Sequence, residues 1–243
     1  MRTNKSVWLP FSDRAEEREE QATERTNNDW LVALRHARVP LRPDDRLLVL
    51  YGHPVLLSLG LYAVAERAIT GEPVVYLDGT QTFDPFFIGR VARVHRQQPR
   101  KLLPLIHVAR AYTLLQLERL VSDCLSSALD RYEARMAVLT GLFDTIHDPV
   151  VSEKDALRSF GRMLEAITRL THQGSTVLCL CPFAPVLTST DRLCLDQLRS
   201  QANRVIRVRE EQGMIQIEDE SDEAASSWQV ARSLLEPTDR KCA

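Results

Sequence analysis

Gly52, His53, Ser58 and Asp78 are the residues whose types and spacing come nearest to a reaction centre. They lie in RLLVLYGHPVLLSLGLYAVAERAITGEPVVYLDGTQTFDPF, residues 46–86, which reads as strand, turn at Gly52, apolar helix, turn at Gly71 and second strand ending at Asp78. An apolar run that meets a glycine and opens a helix is the layout of a phosphate-cradling loop. That chemistry needs glycines for close backbone approach, a lysine for the terminal phosphates and a hydroxyl for Mg²⁺. After Gly52 the chain offers HPVLLSLG instead, with no lysine. Ser58 has no His and acid placed to make it a nucleophile. His53 could face the former phosphate position, against the plainer reading of a solvated loop histidine. For Asp78 the plainer reading is a strand-end or capping carboxylate. His53, His107 and His147 lack the spacing of a shared metal site, so neither metal nor cofactor is expected.

These residues must be positioned by the elements around them, which alternate between strand and helix. The expected strands are 46–51, 73–78, 105–109, 136–143 and 176–181, and the expected helices 55–69, 85–96, 113–129, 152–171 and 191–202. A hairpin pairs 204–209 with 214–218 around Gln212-Gly213, and Ser152/Asp155 approximates a capping box. Such alternation implies right-handed crossovers and an α/β fold with a mostly parallel sheet. The expected division is an N-terminal extension with a helix (1–43), a core (44–218), and an acidic linker with a short tail (219–243). The tail, WQVARSLLEP, carries Trp228, Val230, Ala231, Leu234 and Leu235 in helical register, as a docking peptide or a segment packed on its own domain.

The 243 residues suit one α/β domain with modest extensions, and 44% hydrophobic residues suffice for a sizeable core. A net charge of −2 argues against a general nucleic-acid binder, although local basic patches remain compatible with it. Five cysteines lack metal-site spacing, and Cys179 and Cys181 fall on one face of an apolar strand, as small buried hydrophobes in a reducing compartment would. No leader-like apolar region opens the chain, and no run reaches the ~18 residues of a membrane span. The expectation is a cytoplasmic protein, nuclear in a eukaryote, with no membrane partner.

VVYLDGTQTFDP resembles the strand of RecA-like recombinases (RadA and its eukaryotic relatives) that runs approximately Y-I-D-T-E-G-T-F-x-P, through Tyr76, Leu77, Asp78, Thr82, Phe83 and Pro85. IHVARAYTLLQLERLV is similar to a second segment of that family through Arg110, Ala111, Tyr112, Thr113, Gln116 and Leu117. MAVLTGLFDT stands where the Walker B strand belongs. The resemblance spans roughly residues 44–218 and implies a RecA-like P-loop fold. It also shows what has gone. The family's G-K-T falls on Leu57, Ser58 and Leu59, its catalytic glutamate on Thr80 and its Walker B aspartate on Leu139. Phosphoryl transfer is nearly all electrostatic positioning, so losing these groups together implies no catalytic residue and no ATPase activity, with Gly52, Ser58 and Asp78 as vestiges.

What the resemblance implies about function is a non-catalytic accessory protein of DNA recombination or repair. It would assemble with another RecA-like protein or a repair factor. The family assembles through an F-x-x-A motif, in whose place this chain has Trp30 and Ala33; Trp228 and Leu234 are the further candidate contacts. Its two DNA loops correspond to DTIHDPVVSEKD and CPFAPVLTSTDR, whose cations are Lys154 and Arg192, so direct DNA binding is expected to be weak. Two alternatives stand beside this. Arg90, Arg93, Arg96, Arg100 and Lys101 could form a stripe that binds DNA without ATP, where the plain reading is a solvated helix face. The altered pocket could instead serve a regulator that binds another ligand.

Overall fold

The computed structural model describes residues 32–147, 150–183, 187–221 and 227–232. Trp30, Leu234 and the acidic stretch 222–226 lie outside the described residues, as does the charge-dense run ahead of Trp30.

The first strand, β1 (Leu47–Gly52), is buried along its first five residues, as an apolar run flanked on both faces must be. Helix α1 (32–37) precedes it. The chain continues through α2 (Leu56–Ile69), β2 (Val74–Asp78), α3 (Pro85–Val94), α4 (Pro99–Leu102) and β3 (Ile106–Arg110). Next come α5 (Leu114–Arg119), a π-helical turn (Leu120–Cys124), α6 (Leu125–Arg131), β4 (Met136–Thr140), α7 (Glu153–His172), β5 (Thr176–Pro182) and α8 (Ser189–Gln201). The chain closes on β6 (Arg204–Glu211), β7 (Met214–Asp219) and β8 (Ser227–Ala231).

One eight-stranded sheet runs β3-β2-β4-β5-β1-β6-β7-β8. Its first six strands are parallel, and β7 and β8 are antiparallel. The α/β architecture, the mostly parallel sheet and the C-terminal hairpin turning at Gln212-Gly213 match the sequence expectation. The two-residue side-chain period divides the strands between two cores. Leu48, Leu50, Val74, Tyr76, Val138 and Leu180 face a layer with α1, α2 and α3. Leu47, Val49, Val75, Leu77, Leu139, Cys179 and Cys181 face the layer of α5 to α8. Cys179 and Cys181 do share a face, and burial pushes the Cys179 thiol up to about 12.

Residues ahead of position 44 and beyond 218 join this body. Ala33, Leu34, Ala37, Val39 and Val230 are buried in the α2-side core. The tail departs from its expected helical register: Trp228, Val230 and Ala231 lie in strand β8, which pairs with β7. Alternation in S-W-Q-V-A accompanies this pairing: Val230 faces the core while Ser227 and Gln229 face solvent. Trp228 packs against the same core, and its Nε1–H donates to the Ala37 carbonyl at 3.3 Å.

The arginine stripe also changes. Helix α3 ends at Val94, and Arg96 takes a left-handed φ of 55°. The amides of Arg96 and Gln97 turn back onto the carbonyls of Arg93 and Ala92, so Arg96 leaves the line of Arg90 and Arg93. The Gln98-Pro99 step that follows cannot continue a helix, because proline restricts the residue before it. Arg90 is held near Asp84 at 3.4 Å, with its guanidinium over the Phe87 ring, while Arg93, Arg96, Arg100 and Lys101 are exposed.

Among the described residues no helix is long and apolar enough to cross a membrane.

Candidate functional site

Ligands of open parallel sheets bind beyond the C-terminal ends of the strands, where successive connections leave for opposite faces. Two such points occur here. Strand β1 leads to α2 on one face while its neighbour β5 leads to α8 on the other. Strand β2 leads to α3 while its neighbour β4 leads to α7. Gly52 stands at the first point, and Asp78 with Thr140 at the second.

At the first point the turn from β1 to α2 is only three residues long, His53 to Val55. Its amides are taken up inside the protein. His53 N–H donates to the Val208 carbonyl at 2.8 Å, and Val55 N–H to His53 Nδ1 at 3.2 Å. The amides of Leu56, Leu57 and Ser58 donate to the carbonyls of His53, Pro54 and Val55 at 3.0–3.1 Å. A phosphate cradle needs such amides directed at a ligand; here they close a tight turn. Leu56 and Leu59 are buried in the core and Leu57 packs on it. Gly60 brings α2 onto the sheet, since a Cβ there would lie 2.2 Å from Leu180 Cδ1.

Gly52 is required by contact as well as conformation. Its φ is +116°, and a Cβ would stand 2.0 Å from the Val208 carbonyl oxygen. His53 is not the solvated loop residue of the plain reading. Its Nε2 lies 3.3 Å from Glu210, whose carboxylate also accepts from Arg232 Nη1 at 2.8 Å. The histidine thus ties the turn to the β6–β7 hairpin.

At the second point the Asp78 side chain is fully buried. Its two oxygens accept from the amides of Thr82 at 3.0 Å and Phe83 at 3.1 Å, and Arg110 Nε approaches to 3.5 Å. Thr80 and Thr140 hydroxyls lie 3.4 Å from Oδ1. A carboxylate offers about four acceptor positions, and the chain itself fills them. Asp78 therefore caps the 79–84 loop, and Asp84 in turn caps α3 by accepting from Phe86 N–H at 2.8 Å. Tyr76 below packs its ring on Phe83, with centroids 5.1 Å apart, and burial raises its hydroxyl pKa, helped by Asp78.

Thr140 and two glycines complete this place, and the sequence reading had not singled them out. Thr140 Oγ1 accepts from Gly79 N–H at 3.1 Å and pairs with Thr80 Oγ1 at 3.0 Å. Gly79 and Gly141 lie back to back: a Cβ on Gly141 would stand 2.5 Å from Gly79 Cα. The available signal was a glycine directly after each of two buried strands. Leu139 is buried in the core on the side of α5 to α8. Thr80 spends its hydroxyl on Thr140 and Thr82.

The loop after β4 is joined to the first turn of α8 by His147 and Asp191, whose Nε2 and Oδ1 are 2.8 Å apart. Asp191 completes a capping box with Thr188 at the start of α8. Burial pushes its carboxyl up, but the Thr188 hydroxyl and amide together with His147 outweigh that and hold it below its usual 3.8. A carboxylate with a depressed folded pKa contributes stability that is complete above its unfolded pKa and is lost as pH falls through the folded one. Urea midpoints should therefore fall more steeply between pH 4 and pH 2 in the native protein than in Asp191→Asn, the two curves converging at the acid end.

Of the candidate residues, Gly52 and Ser58 stand at the first point and Asp78 at the second, so the three are not gathered around one place. Ala33 is buried rather than presented. Among the described residues no group of three or more His, Cys, Asp or Glu converges as metal ligands do. No protein-family profile matches the chain, and no curated protein matches it at a significant level.

Proposed function

We propose that this chain is a non-catalytic RecA-like accessory protein in DNA recombination or repair, which acts by assembling with a second RecA-like protein or a recombination factor. The observation that carries the reading is the closed turn at Gly52–Ser58, set in a mostly parallel sheet. The strands carrying the resemblance, β1, β2 and β4, lie in one parallel sheet with their C-terminal ends at one edge. In each place where phosphoryl transfer needs a charged group, the chain has a buried leucine, a core-packed helix or a hydroxyl bonded to its own neighbours. Folding has been kept while the chemistry has been replaced by packing. Affinity purification of the full chain from its native cells, with nuclease treatment, should yield a RecA-type protein or recombination factor in fixed ratio. A chain recovered alone, and monomeric by size-exclusion chromatography, would refute the assembly.

A second reading is favoured by one observation. Arg93, Arg96 and Lys101 are exposed and form no ion pair among the described residues, and Arg100 bonds only Gln98 Oε1. This corner would bind DNA weakly and without ATP through its phosphates. Fluorescence anisotropy should then show affinity falling steeply between two salt concentrations. Absence of binding at low salt removes this reading.

A further inference from the structure

The opposite edge of the sheet, where β4, β5 and β1 begin, holds a feature that the proposed function does not use. Arg42, Arg46, Arg67 and Arg135 line a cavity of about 340 Å³ there, with Met136 and Thr176 in its wall, and no aspartate or glutamate lines it. These arginines come from three places: the approach to β1 (Arg42 and Arg46), the last turn of α2 and the residue before β4. An adjoining hollow of about 370 Å³ shares Arg67 and Arg135 and adds Glu72 and Glu133.

Part of this positive charge has structural work. Arg46 donates to the carbonyls of Pro43 and Asp45 at 3.1 Å each, and Arg42 reaches Asp219 at 3.2 Å. Arg67 stands in the last turn of α2, where a cation favours the helix dipole, and its Nη2 meets Glu72 at 2.8 Å. The remainder has none. The buried Nε–H of Arg67 has no acceptor, and a buried donor without one is costly. Arg135 makes no ion pair or side-chain hydrogen bond among the described residues.

We propose that this cavity binds a small phosphate-bearing anion, either an oligophosphate or the phosphate end of a nucleotide. Guanidinium groups match phosphate oxygens bidentately, and here Arg135, without an ion pair among the described residues, stands beside three further arginines on one concave surface that no carboxylate lines. The volume falls at the small end of ligand cavities, which suits a compact anion rather than a strand of nucleic acid. Arg135 supplies the free donors, Arg46 and Arg67 add positive charge to the wall, and Glu133 lines the adjoining hollow into which the rest of a nucleotide would extend. The site lies across the sheet from Gly52 and Asp78, and it stands whether or not the accessory role does.

Calorimetric titration of the full chain at low salt with tripolyphosphate, and separately with ATP, tests this. Saturable one-to-one binding that weakens with salt is expected. Arg135→Gln should lose about tenfold in affinity or more, Arg135→Lys should recover part of that loss, and Arg93→Gln should change nothing. Equal affinity for both probes identifies an oligophosphate site, and tighter ATP binding identifies a nucleotide site. In the unsubstituted protein the amide resonances of Met136, Gly174 and Thr176 should move with either probe, which tests the placement without any variant. Binding of neither probe at millimolar concentration would overturn the proposal. So would affinity that survives Arg135→Gln, or that Arg93→Gln weakens equally. ATP shifts at His53–Leu59 instead would contradict both this site and the closed seat.

Discussion

Replacing Arg204 by methionine should lower the unfolding free energy by about 3–5 kcal/mol, the range for removing one member of a buried ion-paired group. Arg204 side chain is 3% exposed, and its partners Asp45 and Asp219 are 2% and 0% exposed. Its Nε donates to Asp219 at 2.8 Å, and its Nη1 donates to Asp45 at 3.2 Å and to the Pro40 carbonyl at 2.8 Å. Arg42 adds a backbone amide to Asp45 at 2.7 Å, so the network clamps the approach to β1 onto the start of β6 and the end of β7. Without the guanidinium, two carboxylates face each other with most of their desolvation uncompensated. Combining Arg204→Met with Asp45→Asn and Asp219→Asn removes that uncompensated charge and should recover part of the loss. Urea denaturation of the three proteins measures it, and a single substitution costing less than about 1 kcal/mol would show the network to be relaxed or hydrated.

Gly52→Ala should cost a similar amount, about 4 kcal/mol or more, where single substitutions become exceptional. Two terms add. The φ of +116° strains any residue with a Cβ, and that atom would sit 2.0 Å from a main-chain oxygen of β6 that has no rotamer to escape into. Gly71→Ala separates them. Gly71 also has a positive φ, +85°, but open space around its missing Cβ, so it should lose only about 1–2 kcal/mol. Equal losses at the two positions would mean that β6 yields, and that the turn is not locked to the sheet as the structure has it.

Much of this architecture was legible in the sequence because buried parallel strands read as apolar runs between turn signals. LLVLYG, VVYLD and TVLCLC stand out in that way, and Ser152 and Pro85 mark helix starts. The tail was misread because Trp228, Val230 and Ala231 fit a helical face as well as a strand in so short a segment. Only pairing with β7 decides between them. The stripe was misread at Arg96 because local spacing cannot reveal a helix end set by a proline three residues on. Asp78 was visible as a chemical residue and its Thr82 and Phe83 partners are local, but Thr140 joins them only because β4 ends beside β2, which no local pattern states. The arginine cavity was hidden for the same reason. Residues 42, 46, 67 and 135 meet only once the sheet order is known.

The Gly52–Ser58 turn and the Asp78 loop are closed by the protein's own hydrogen bonds and side chains, which leaves their amides no room for a nucleotide. Amide chemical-shift mapping with Mg²⁺ and ATP tests this directly, because it reads those amides one by one. The resonances of His53, Leu56, Leu57, Ser58, Gly79 and Thr82 should stay in place at saturating nucleotide, with no phosphate released in the same sample. Saturable shifts in that set, or ATP turnover abolished by Asp78→Asn, would mean that the turn opens to admit a nucleotide and that the site is still a working one.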